Sequence, residues 1–146
     1  MLPHYQWLNK VYFLTFCTHG RQVLSPGSRN IVLETCLFGN GKLFQLHAAV
    51  VMPDHVHLLL TPAIDEQGPI SIPEIMQAIK GTSAHRINKC LGRKGRVWQD
   101  ESFDHWVRNP AELEKMRAYI ESNPVTAGLV ARPEDWPWSS ASHPIE

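Results

Sequence analysis

The chain has 146 residues and a formal net charge of zero, 14 Lys and Arg standing against 14 Asp and Glu. That length suffices for one well-packed domain, expected over 1–146, and neutrality at first argues against a nucleic-acid partner. No apolar run approaches the roughly 18 residues of a membrane span, and the N-terminus lacks a charged head before a hydrophobic signal core, so a cytoplasmic protein is expected.

In Val11 to Thr18, Val11, Phe13, Thr15 and Cys17 alternate with Tyr12, Leu14, Phe16 and Thr18 in a stretch rich in aromatic and β-branched residues, which predicts a first strand. Ser28 is placed to cap a helix with the apolar stripe Val32, Leu33, Cys36 and Leu37, and Gly39 to end it. Leu43 to Met52 reads as a second strand, Pro53-Asp54 as a turn, and His55 to Thr61 as a third strand antiparallel to the second. Pro62 to Ile70, with Gly68-Pro69, reads as an exposed, mobile loop.

Ser71 and Glu74 have capping-box spacing and open a helix from about Ile72 to Cys90 that buries Ile72, Ile75, Met76 and Ile79. Gly92 to Gly95 breaks it. Val97-Trp98 and Phe103 to Val107 read as a turn into a fourth strand; Asn109-Pro110 starts a last helix with the stripe Leu113, Met116 and Ile120, and Pro124 stops it. The order matches an α+β fold, a split βαβ antiparallel sheet with helices mainly on one face and one extra C-terminal helix. Cys17, Cys36 and Cys90 are scattered and odd in number, which suggests reduced core thiols and neither a disulfide framework nor a zinc knuckle.

Within Val51 to Leu60, His55 and His57 stand two apart on the third strand, so they emerge on one face while Val56, Leu58 and Leu60 take the other. A lone His near an apolar strand is usually a satisfied core or surface residue. A pair is different, because two imidazoles can chelate one divalent metal, and a shell without further nearby Cys or His keeps open positions for catalysis. On the last helix, Tyr119 and Asn123 stand four apart and share a face, although Pro124 disfavours helical geometry at Asn123. A phenol has a reference pKa of about 10 and needs a metal, a base or hydrogen bonds to act as a nucleophile; otherwise Tyr119 is packing. The set suggests metal-assisted phosphodiester chemistry.

Local charge also departs from neutrality. Between Lys80 and Gln99 the chain carries Lys80, Arg86, Lys89, Arg93, Lys94 and Arg96 and no acid. Such a patch is either a phosphate-binding surface or a solvated helix face.

The stretch from Val51 to Leu60 contains the His-hydrophobic-His motif of HUH endonucleases, and the chain around it resembles the REP-associated tyrosine transposases, relatives of the single-strand insertion-sequence transposases that use one tyrosine. The resemblance is carried by Phe13 to Arg21, Met52 to Leu59, Ile79-Lys80-Gly81, Val97-Trp98-Gln99 and Phe103-Asp104-His105. It continues through Tyr119-Ile120 with Asn123-Pro124, Ala127 to Val130, and Trp136 to Ser140, in order over nearly the whole chain.

The resemblance implies a ferredoxin-like sheet, His55 and His57 as the metal-binding pair, Tyr119 as the nucleophile, and Asn123 where relatives often place a glutamine as third ligand. It implies Mg2+ or Mn2+ as cofactor and, as partner, single-stranded DNA near hairpins of repetitive extragenic palindromes, acted on by a monomer or homodimer. The expected reaction is nicking and rejoining through a 5′-phosphotyrosine. Lys80, Arg86, Lys89, Arg93, Lys94 and Arg96 would hold the DNA backbone, and Trp98 or Phe103 would stack on an extruded base. Three alternatives stand beside it: a hairpin-binding protein without turnover, a metal-dependent phosphodiesterase that activates water, and a structural domain with satisfied core histidines.

Overall fold

The computed structural model describes residues 10–145; the N-terminal stretch read for a signal core and Glu146 lie outside the described residues. In chain order the elements are β1 (Tyr12–Cys17), a 3-10 turn (His19–Arg21), α1 (Pro26–Gly39), β2 (Phe44–Val51) and β3 (His55–Pro62). They continue with β4 (Ile64–Asp65), β5 (Gly68–Pro69), α2 (Ile72–Leu91), β6 (Phe103–Trp106), α3 (Pro110–Thr126) and a second 3-10 turn (Pro133–Asp135). The main sheet has the order β2-β3-β1-β6 with every neighbour antiparallel. This is the ferredoxin-like arrangement expected from the element order.

Alternation along the central strands divides the molecule into two cores. Leu14 and Phe16 of β1 and Val56, Leu58 and Leu60 of β3 pack with Val32, Leu33 and Cys36 of α1 and with Ile75, Met76, Ile79 and Ile87 of α2. The opposite face presents Phe13 and Leu59, which pack with Ile120 of α3, with Leu113 and Met116 against them. Two helices therefore cover one face and α3 lies across the other. The register sets Thr15 opposite His57 and Cys17 opposite His55, so the imidazoles belong to the face that α3 shares.

Several boundaries differ from the sequence reading. The cap of α1 is Ser25, whose Oγ accepts from the Ser28 amide at 3.1 Å; Pro26 occupies the first turn, where a missing N–H costs nothing. Leu37 is 37% exposed and lies off the buried stripe. Gly39 is the last residue of α1, and it has no room for a side chain, since a Cβ there would come within 2.5 Å of the Phe44 ring. Ser71 caps α2 as expected, its Oγ accepting from Glu74 N at 3.2 Å, and Gly92 closes that helix in the left-handed conformation at φ 61°.

Pro124 does not stop α3. The helix runs on to Thr126 with Pro124 inside, because the proline falls in the last turn, where only the bond to the Ile120 carbonyl is lost and Ala127 N still reaches Asn123 O at 2.9 Å. The stretch read as a loop carries the small β4–β5 hairpin. Of the three thiols only Cys36 is buried, which pushes its pKa up to about 12; Cys90 is exposed, contrary to a core role. No helix among the described residues is long and apolar enough to cross a membrane.

After α3 the chain returns to the open edge of β2. Val51 N donates to Trp138 O at 2.8 Å, Ser140 N to Ala49 O at 2.8 Å, and the Trp136 indole to Val51 O at 2.9 Å. That covers an edge otherwise open to pairing with another strand.

Candidate active site

β3 supplies the two imidazoles, and their ring centroids lie 4.8 Å apart. Each has its Nδ1 engaged by a neighbour. His55 Nδ1 is 2.8 Å from Asp54 Oδ1, and a carboxylate only accepts, so Nδ1 donates this bond and Nε2 is the nitrogen left for another partner. The other oxygen of Asp54 accepts from Arg21 Nε at 3.0 Å. Burial pushes the Asp54 carboxyl up, but the hydrogen bonds and charges of Arg21 and His55 together hold it below its ordinary value. Arg21 itself sits at φ 53°, in the left-handed region that a non-glycine residue seldom occupies.

His57 is 6% exposed, and its Nδ1 lies 2.8 Å from Thr15 Oγ1 on the adjacent strand. Burial, aided by His55, pushes its pKa down to about 4, so the ring is neutral at physiological pH. A neutral imidazole with one nitrogen held by an outer partner is the form that binds a metal.

α3 brings Tyr119 to this pair from a distant part of the chain. Its ring packs edge-on against His57 with centroids 5.6 Å apart and against Phe13 at 6.0 Å, while Phe13 stacks on His57 at 5.3 Å. Tyr119 is 49% exposed, so its ring is open to a ligand as well as packed on the sheet. Asn123 lies one helical turn further on, and its Oδ1 is buried without a hydrogen-bond partner among the described residues. A buried carbonyl oxygen left unpaired is costly unless something bonds to it. No cluster of three His, Cys, Asp or Glu that could hold a metal occurs among the described residues. The chemistry of two imidazoles and an amide oxygen, those of His55, His57 and Asn123, is compatible with a divalent ion.

The structure does not bring the basic residues to that face. Their helix, α2, packs on the opposite side of the sheet. Lys80 Nζ donates to the carbonyl oxygens of Gln99, Asp100 and Glu101 at 2.9, 3.4 and 3.4 Å, bracing the chain that leads into β6. Arg86 pairs with Glu34 at 2.8 Å and Arg96 with Asp100 at 3.2 Å. Arg93 donates to Asn88 and Gln22. Lys89 and Lys94 have no ion pair among the described residues, and with Arg93 and His85 they line an open concavity at the end of α2. Trp98 is 5% exposed, packs edge-on against Phe16, and donates its indole N–H to Ser83 at 3.0 Å. Its ring belongs to the core and presents no free face to a base, which corrects the stacking role expected of it.

Sequence reasoning missed the residues that hold the two histidines in place. Asp54 adjoins His55 in the sequence and was legible only as a turn residue. Thr15 required the β1–β3 register and Arg21 the turn after β1.

Residues 10–123 match the family described as Transposase IS200 like. Among curated proteins, the chain is 32% identical over 103 residues to a candidate REP-associated tyrosine transposase of Haemophilus influenzae, covering 66% of this chain and 58% of that one. It is 31% identical over 97 residues to a REP-associated tyrosine transposase of Escherichia coli, covering 66% and 54%. The chain therefore spans little more than half the length of these relatives. Among solved structures, a REP-associated tyrosine transposase bound to a REP hairpin superposes with a TM-score of 0.76 at 23% identity, over 92% of this chain and 78% of the other. A transposase candidate from Deinococcus radiodurans gives 0.51 at 28% identity, over 77% and 88%.

Proposed function

Because the chain belongs to the IS200-like transposase family, we propose that it nicks and rejoins single-stranded DNA beside a hairpin, with Tyr119 as the nucleophile. The observation that carries this reading is the meeting of Tyr119 from α3 with His57 from β3, centroids 5.6 Å apart, together with a buried and unpartnered Asn123 oxygen one helical turn further along α3. A purely structural pair of histidines gives no reason for that orphaned oxygen.

His55, His57 and Asn123 would hold a magnesium or manganese ion. When bound, such an ion neutralises charge on a phosphodiester and orients its oxygens. Tyr119 Oη then attacks the phosphorus. The new oxygen–phosphorus bond forms as the bond to the 3′ oxygen breaks; the phenol loses its proton, and the departing 3′ oxygen takes one up. The product is a 5′-phosphotyrosine and a free 3′-hydroxyl. Because one phosphoester replaces another, a returning 3′-hydroxyl can reverse the step without ATP. Thr15 and Asp54 keep the imidazoles oriented throughout.

Lys89, Arg93 and Lys94 are the cations available to the DNA backbone on the other face, and they would hold the hairpin away from the chemical step. Lys80, Arg86 and Arg96 serve the fold first.

Labelled single-stranded hairpin DNA incubated with the protein and manganese tests this reading. The expected result is a protein–DNA adduct that survives denaturing electrophoresis and is lost with a chelator. Cleavage without an adduct points to activated water and rejects the tyrosine mechanism.

A further inference from the structure

An open cavity of about 450 Å³ adjoins Tyr119, walled by Phe13, Phe103 and Met116 and reached by Lys115. We propose that it is a nucleobase subsite, in which the nucleotide next to the scissile phosphate stacks its base on Phe103 and sets its phosphate against Lys115. This inference rests on the proposed DNA-nicking reading and adds the substrate contact that the metal ligands and the tyrosine do not supply.

The ring of Phe103 is its first support. Phe103 pairs in register with Thr15, so it points to the face that carries His57. It is 57% exposed, although Phe13 beside it is 8% exposed. The two rings meet edge-on, at 71° with centroids 6.5 Å apart, and Phe103 keeps more than half of its surface exposed. A large apolar face turned toward a cavity beside the chemistry is a stacking platform, and every base has a π-face to offer it.

Lys115 is the second. It precedes Tyr119 by one helical turn and shares its side of α3. Among the described residues it has no ion pair, whereas Arg117, two positions on, is paired with Glu114 and donates to the His47 carbonyl. An ammonium group without an ion-pair partner, on the side of the helix that bears Tyr119, complements a phosphate. The cavity's size is that of an ordinary small-ligand site, suited to one nucleotide and too small for a duplex.

The lining also bears on specificity. Thr15 Oγ1 is already engaged by His57 Nδ1. Beyond Thr15, His57, Lys115 and Tyr119, the walls are Phe13, Phe103 and Met116, which offer nothing to read a base edge. The subsite is therefore tolerant of base identity, and sequence choice must come from elsewhere in the complex.

Binding is measured without catalysis, by following the 13C-labelled Met116 methyl resonance during titration with the dinucleotide TpT. The expected result is a saturable shift, absent with an abasic analogue of the same charge. Phe103→Ala should weaken binding about tenfold and Phe103→Trp restore it. Lys115→Gln should weaken TpT and leave uncharged thymidine unaffected, and adenine in place of thymine should change little. An unmoved Met116 methyl, equal binding of the abasic analogue, or wild-type affinity in Phe103→Ala overturns the subsite. The adduct assay run in parallel separates the two ideas. An adduct with no Met116 shift rejects the subsite and keeps the proposed function; a shift with no adduct rejects the function and leaves a nucleotide site.

Discussion

Asp54 and His55, neighbours in the chain, are joined by a 2.8 Å contact in which Nδ1 donates to Oδ1, which fixes Nε2 as the imidazole nitrogen left for another partner. The carboxylate is in turn gripped by Arg21 at 3.0 Å, from a turn with strained backbone. Local strain of this kind persists where the surrounding structure enforces it, and here it links the end of β1 to the start of β3.

Asp54→Ala should lower manganese affinity by about 10–100-fold while leaving the circular dichroism spectrum unchanged, since outer partners of ligating histidines carry effects of that size. Isothermal titration measures it directly. As an ion pair with an exposed arginine, Asp54 contributes only about 0–1 kcal/mol to stability. Affinity within twofold of wild type would reduce the contact to a surface ion pair.

The pH dependence of stability has a readable source in His47. It bulges from β2 between Leu46 and Ala48, its Nε2 lies 2.8 Å from Thr61 Oγ1, and burial with help from Arg117 pushes its pKa down to about 4. The unfolded chain takes up a proton near the ordinary value of 6.5 and the native state does not. Stability is therefore fully present above about pH 6.5, falls as pH drops toward 4, and loses nothing further from this group below that. Between pH 7 and pH 4.5 the loss should be about 2–3 kcal/mol. Urea unfolding of His47→Gln should show that much less pH dependence, and an identical slope would mean that the native state charges His47 after all.

What was legible in the sequence followed from alternation and caps. Val56, Leu58 and Leu60 against His55 and His57 located both faces of β3 correctly, and the Ser71 and Asn109 caps fixed two helix starts to the residue. Tyr119 and Asn123 stay on one helix because Pro124 falls where the loss of a single hydrogen bond is tolerable, which local preference alone does not reveal. Partners that depend on strand register, such as Thr15 for His57, and on packing, such as Ser83 for Trp98, have no local signature. Charge was the least reliable guide. Lys80, Arg86 and Arg96 read as a DNA-binding run, yet each has a nearer partner in the fold.

That division of labour among the cations is itself testable by salt dependence. Each phosphate contact to single-stranded DNA contributes a log–log slope of about −0.7, so Lys89→Gln with Lys94→Gln should flatten the slope by about 1.4 and weaken binding. Arg86→Gln, which removes a partner from Glu34, should leave the slope close to wild type. Filter binding across a range of sodium chloride concentrations distinguishes them. A slope unchanged in the double variant would show that the concavity at the end of α2 is only solvated.

Tyr119→Phe separates chemistry from packing most cleanly. The phenyl ring keeps its edge-on contacts with Phe13 and His57, both of which involve the ring and not the hydroxyl, so the variant should unfold at the same temperature within about 2 °C. His55, His57 and Asn123 are untouched, so manganese and hairpin DNA should bind as before. Without Oη the bond to phosphorus cannot form, and both the adduct and strand cleavage should vanish together. Denaturing electrophoresis of labelled DNA reads both at once. If a water molecule were the attacking group, the variant would cut at a rate near wild type, and the role assigned to Tyr119 would have to be abandoned.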